Sequence, residues 1–353
     1  MNDTFSAPQQ APVVPPPKQP STVGHWTAIL VLLFLLGVSM LANLALVVVA
    51  IGASAFSLEH AGERKSFSEE VIAGSGKNKV VQLEANGVIT FNERDGMFFG
   101  QEGLANQLLE QIEAAEDDPQ VIAALLVVDS PGGGVTASDI LYDRLLKFKD
   151  AQGKKRKLVV LMRDLAASGG YYISAAGDKI IAHRTTITGS IGVLLSTVSL
   201  KGLGDKVGVH DVTIKSGRNK DTLNPLREPT TEETNILQSV VNDMYERFVS
   251  VVARSRGLAV EKVRNIADGR IYTANQALEL GLIDEIGYEQ DARQAVKDLT
   301  GKKEIKIVRY KRGHSLMELF GSWTHLAVRL PFPAHWGAET PRFQYLWQPV
   351  MSE

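Results

Sequence analysis

From Trp26 to Phe56 the chain is apolar on every face, and no Asp, Glu, Lys or Arg occurs between Lys18 and Glu59. A bilayer core of ~30 Å needs ~20 helical residues at 1.5 Å rise. The run exceeds that and predicts a transmembrane anchor over residues 26–56. Ala53-Ser54-Ala55 has the look of a signal-peptide cleavage site, but the apolar stretch is much longer than a signal core of ~7–15 residues. Ahead of it, residues 1–25 carry Pro8, Pro12, Pro15, Pro16, Pro17 and Pro20, the composition of a disordered or polyproline tail. Residues 57–78 are polar and read as a linker.

From Lys79 onward the pattern is that of an α/β domain. Val80–Thr90 alternates as a strand does, and Leu104, Leu108, Leu109 and Ile112 share a helical face. Ala123–Val128, Leu158–Met162 and Ile180–Ala182 are short apolar runs of the kind found in strands buried on both faces. Ser138–Lys149 reads as a helix with Leu141, Leu145 and Phe148 on one side. Thr230 and Glu233 form a capping-box signature ahead of a long apolar stripe that Gly257 ends, and a short helix over Ala274–Leu280 stops at Gly281. Strands alternating with helices predict a mostly parallel sheet covered by helices. A single domain over 79–311 is expected, followed by an aromatic-rich tail over 312–353.

The net charge of -2 gives no reason to expect a nucleic-acid partner. Cysteine is absent, which excludes disulfides, thiolate metal sites and a cysteine nucleophile. No metal and no cofactor is expected.

Three segments carry candidate chemistry. Asp129-Ser130-Pro131-Gly132-Gly133-Gly134 follows a buried strand, and its glycines can bring backbone N–H groups close to an oxyanion, hold a phosphate, or simply form a tight turn. Ala166-Ala167-Ser168-Gly169-Gly170-Tyr171-Tyr172 follows another, so Ser168 is either an accessible nucleophile on a strand-to-helix turn or a helix N-cap. Lys215-Ser216-Gly217-Arg218-Asn219-Lys220-Asp221 lies in a turn-rich loop. A serine nucleophile needs a base. Of the histidines, His183 and His210 fall between the flanking segments, and neither sits in a recognisable motif. A lysine can substitute only as the neutral amine, which requires lowering a pKa of ~10.4 by ~3 units through burial or neighbouring cations.

In this order Ser130–Gly133, Ala167–Tyr172, Thr186–Val193 and Lys215–Asp221, with Ala267–Thr273 and Ala277–Asp284 downstream, resemble the S49 peptidase family, the signal peptide peptidase A group, over roughly residues 79–297. The resemblance implies a ClpP/crotonase-like fold and a Ser–Lys dyad. It implies Ser168 as nucleophile, Lys220 as general base and Ser190 as the serine that orients the lysine. It also implies an oxyanion hole from the N–H of Gly169 and of Gly132 or Gly133. Short members assemble as homo-octamers with the dyad shared between protomers, and they cleave signal peptides and other unfolded apolar segments at a lipid bilayer. A positive-inside count over Arg64, Lys65, Lys77 and Lys79 would put the large C-terminal part in the cytoplasm. The resemblance implies the extracytoplasmic side and is followed here. The rival readings are a crotonase-type acyl-CoA enzyme and a non-catalytic membrane scaffold of the same fold.

Overall fold

A computed structural model describes residues 22–59, 67–91, 103–312 and 343–347. The chain divides into two units, Met1–Lys65 and Ser66–Glu353. The first holds helix α1 (Thr22–Glu59), whose described apolar side chains, Phe34, Met40 and Leu41 among them, are exposed. Among the described residues no helix is long and apolar enough to cross a membrane. The expected anchor over 26–56 falls within α1, whose side chains are described only in part. Most of the proline-rich segment and much of the aromatic tail lie outside the described residues.

In the second unit the order is β1 (Phe67–Gly74), β2 (Lys79–Asn86), α2 (Leu104–Asp117), β3 (Val121–Ser130), β4 (Gly132–Gly134), α3 (Val135–Asp150), β5 (Lys157–Ala167) and α4 (Gly169–Ser174). There follow β6 (Lys179–Ala182), β7 (Ile187–Gly189), β8 (Leu194–Leu195), α5 (Lys201–Val207), α6 (Thr231–Arg256) and α7 (Val260–Ile266). The order closes with β9 (Ile271–Thr273), α8 (Ala274–Leu280), β10 (Glu285–Ile286), α9 (Glu289–Thr300), β11 (Lys306–Arg312) and β12 (Phe343–Leu346).

The main sheet runs β1-β11-β2-β3-β5-β6-β10. Every pairing from β11 to β10 is parallel, and only the edge strand β1 is antiparallel to its neighbour. Strand side chains alternate between faces, and the two cores separate on that period. Ala124, Leu126 and Val128 of β3 join Leu158, Val160 and Met162 of β5 on one face, under α2, α3 and α6. Ala123, Leu125 and Val127 join Val159 and Leu161 on the other, under Ala292, Ala295 and Val296 of α9. Both faces are buried, which is why these strands read as continuous apolar runs. The capping box at Thr230 and Glu233 is present, and Gly257 and Gly281 end their helices in the left-handed conformation.

The structure corrects the linker boundary. Residues 67–74, expected within a linker over 57–78, form β1 and pair with β11 through Phe67↔Arg312 to Gly74↔Lys306. The polar exposed face of β1 hides it from a reading based on apolar runs.

β5 outlasts its neighbour β6. Its first half pairs with β6 up to Met162↔Ala182, and its last residues, Leu165–Ala167, pair with β7, which turns back onto β9. The β3–β5 register shifts between Val128 and Ser130, where the Asp129 carboxylate takes the Leu165 N–H at 3.2 Å. The sheet therefore delivers the C-terminal ends of β3 and β5 to one place, with two glycine-rich turns side by side.

Candidate active site

Ser168 occupies the junction of β5 and α4 with φ 54° and ψ −116°, a conformation that costs a non-glycine residue ~1–3 kcal/mol. Its N–H donates to Gly189 O (2.8 Å), and its carbonyl accepts from Tyr172 N (2.8 Å) in the first turn of α4. Backbone bonds on both sides thus hold the strain in place. Ser168 stands at the N-cap position, yet its side chain makes no capping bond. That removes the plain N-cap reading of this serine. α4 is fixed by its two tyrosines: Tyr171 donates to Leu282 O at 2.9 Å and Tyr172 to Asp139 Oδ1 at 2.5 Å. Burial pushes both phenols well above their usual range.

A cavity of about 520 Å³ opens at Ser168, with Ser190, Val193, Val241 and Tyr245 on its walls. Ser190 also has positive φ (49°), and its N–H donates to Arg270 O at 2.8 Å. The structure thus brings together Ser168 and Ser190, which are 22 positions apart in the chain. Among the described residues no group of three or more His, Cys, Asp or Glu is placed to hold a metal ion.

The predicted glycines lie against Ser168. A Cβ added to Gly169 would stand 3.1 Å from Gly133 N, and one added to Gly132 would stand 2.6 Å from Gly169 N. The Gly133 and Gly169 amides are therefore neighbours, with Ser168 next to Gly169 in the chain. Gly132 has φ 103°, and its N–H is engaged by Ser130 Oγ at 3.1 Å.

Lys220 is not brought to this cavity by its own chain. It lies exposed in the loop before α6, and it is not among the residues that line the cavity. Its neighbour Asp221 is engaged elsewhere, by Lys215 (2.6 Å) and Arg227 (3.0 Å). Hydrogen bonds from Arg227 and then Lys215 hold that carboxyl well below its usual range. Arg218 pairs with Glu232.

Sequence reasoning missed the occupant of the cleft. β12 lies between β4 and β8 and antiparallel to both, with Tyr345 opposite Gly133 and Leu346 opposite Gly132. Trp347 N donates to Pro131 O at 2.9 Å, and the alternation of antiparallel ladders makes Gly133 and Tyr345 the next hydrogen-bonded pair. Leu346 and Trp347 line the same cavity as Ser168. Tyr345 is fully buried, stacked on Tyr172 (5.0 Å between centroids) and tilted on Phe248 (4.7 Å), with its hydroxyl on Met244 O at 3.0 Å. The aromatic richness of the tail was the available signal, and residues 343–347 do pack on their own domain. No periodicity in a strand this short could give its partner.

A strained serine beside two glycine amides, at the ends of adjacent parallel strands, is an arrangement suited to acyl transfer. Comparison with known proteins gives the family. The profile of Peptidase family S49 matches residues 150–303. A putative signal peptide peptidase SppA of Enterococcus faecium is 38% identical over 250 residues, 71% of this chain and 72% of that protein. A putative protease of Synechocystis is 41% identical over 233 residues, covering 66% and 78%. A chloroplastic serine protease, SPPA, of Arabidopsis thaliana is 32% identical over 60% of this chain and 31% of its own length. Among solved structures, a ClpP1 mutant from Listeria monocytogenes superposes with a TM-score of 0.39 at 19% identity, covering 61% of this chain and 94% of that one. The chain belongs to peptidase family S49, and it is a serine protease.

Proposed function

We propose that Ser168 is the nucleophile of a membrane-anchored endopeptidase of ClpP/crotonase-like fold. It hydrolyses peptide bonds in released signal peptides and other extended apolar segments. The observation that carries this reading is the uncapped, strained Ser168 with the Gly133 and Gly169 amides beside it. An extended peptide laid antiparallel to β4, as β12 is, would direct a carbonyl oxygen between those amides. Attack by Ser168 Oγ on that carbonyl carbon, with the hydroxyl proton passing to the base, would form a tetrahedral intermediate whose oxyanion accepts from the two amides. Breaking the C–N bond with return of the proton would release the amine and leave the acyl-enzyme for water to hydrolyse. Val193, Val241 and Tyr245 give the adjoining cavity an apolar wall suited to such segments.

The base in this reading is Lys220 of an adjacent copy, with Ser190 orienting its amine at the nucleophile. Two features support a shared site: Lys220 stays outside the cavity formed by its own chain, and the loop before it exposes Val212 and Ile214 almost fully. Residues 26–56, within α1, are the anchor of the proposal, and the peptidase unit acts on the extracytoplasmic side. The test is mass-spectrometric identification of the residue modified by a fluorophosphonate in the full-length protein. Modification at Ser168, lost in Ser168→Ala, supports the reading. Modification elsewhere, or none in protein that cleaves peptides, refutes it.

A further inference from the structure

Ser130 lies where the β2–β3 ladder fails. Gly87 N donates to Asp129 O at 2.9 Å. In a parallel ladder the next rung would run from the N–H of residue 131 to the Gly87 carbonyl. Residue 131 is proline and has no N–H. The Ser130 side chain makes the missing bond instead: its Oγ donates to Gly87 O at 2.6 Å. The same oxygen accepts the Gly132 N–H at 3.1 Å, where the backbone turns through φ 103°. Beyond the turn the ladder resumes, with Ile89 N on Gly132 O (2.8 Å) and Gly134 N on Ile89 O (2.9 Å). Ser130 is fully buried, and its carbonyl presses on α4, since a Cβ added to Gly170 would stand 2.7 Å from it.

Resting on the reading of Ser168 and the Gly133 amide given above, we infer that Ser130 is a positioning residue for the oxyanion site. One hydroxyl ties the turn to β2 and draws the Gly132 N–H away from the cleft. The amide left facing the nucleophile is then that of Gly133. Without the hydroxyl, Gly87 O and the buried Gly132 N lose their shared partner, and the turn relaxes as that amide finds another.

The experiment compares kcat and KM per active site, with sites counted by complete fluorophosphonate labelling of the full-length protein. Ser130→Ala is expected to lower kcat by about 10- to 100-fold, less than the ~10²–10³ for removing an oxyanion donor outright, and to leave KM within about twofold. Ser130→Thr and Ser130→Val are isosteric and add the same methyl group to a crowded site, so they differ only in the hydroxyl. The threonine variant is expected to retain kcat at least about tenfold above the valine variant. Equal kcat in that pair, or an unchanged kcat per site in Ser130→Ala, overturns the inference. Absence of wild-type labelling at Ser168 would instead overturn the reading on which it rests.

Discussion

Tyr345→Ala tests whether β12 competes with substrate for the cleft. Tyr345 is the only fully buried side chain of β12, and its ring contacts Tyr172 and Phe248. Truncating a buried aromatic to alanine costs ~3–5 kcal/mol, and losing the hydroxyl bond to Met244 O belongs to the same change. The main sheet is formed by other strands, so this cost falls on docking of the tail. At 1.4 kcal/mol per factor of ten, docking weakens by roughly 10²-fold to several thousandfold. A docked tail multiplies the apparent KM of a peptide by one plus its docking constant. KM should therefore fall by as much as that constant, down to the intrinsic value, while kcat stays unchanged.

Tyr345→Phe keeps both ring contacts and gives up one hydrogen bond of net worth ~1 kcal/mol. Its KM should lie between those of the wild type and the alanine variant. The assay is initial-rate hydrolysis of a fluorogenic apolar peptide by full-length protein, with sites counted by the serine probe. A KM that is unchanged or higher in Tyr345→Ala would refute the argument, because β12 would then support the cleft and not occupy it.

Gly132→Ala places a Cβ over the Tyr345 carbonyl oxygen and 2.6 Å from Gly169 N at φ 103°. It should cost ~1–3 kcal/mol in backbone strain and slow fluorophosphonate labelling of Ser168, with wild-type labelling kinetics counting against the placement of the hole. Lys220→Ala should abolish turnover, and mixing it with Ser168→Ala subunits should restore part of the activity. No recovery in verified mixed assemblies would contradict a shared site. Glu233, bonded by Arg227 and by the Thr230 N–H, has its carboxyl held at about 2 against an ordinary 4.5. A folded value below the unfolded one adds stability that is complete above pH ~4.5 and lost as pH falls toward ~2. The Tm difference between wild type and Glu233→Gln should be largest at neutral pH and close over that window, and a constant difference would refute the assignment.

The legible parts of the fold were those whose partners do not matter to the pattern. A strand buried on both faces is an apolar run whichever strand flanks it, so β3, β5 and β6 could be read, though β5 extends five residues beyond the expected Leu158–Met162. Caps are local, so Thr230, Gly257 and Gly281 were legible. The edge strand β1 and its neighbour β11 were not, because each keeps polar residues along its length. α9 was missed because its buried face is made of Ala292, Ala295 and Val296, too small to raise an apolar signal. At the site, motif order located Ser168, Ser190 and the glycines. On the proposed reading, the choice between Gly132 and Gly133 rests on Ser130 bonding two residues ahead, which only the folded turn displays.

Lys220 marks the limit of what one chain can reveal. Its loop carries Val212 and Ile214, 88% and 99% exposed, in the eight residues before it. Burying each would be worth ~1.5–3 kcal/mol, so the loop favours a covered state that the isolated chain does not supply. On the proposed reading, the same association step would bring the amine of Lys220 to Ser168. Val212→Asp with Ile214→Asp should accordingly lose assembly and turnover together while leaving the fold of the monomer intact. Turnover that persists in a demonstrably monomeric double variant would show that the base comes from within the same chain.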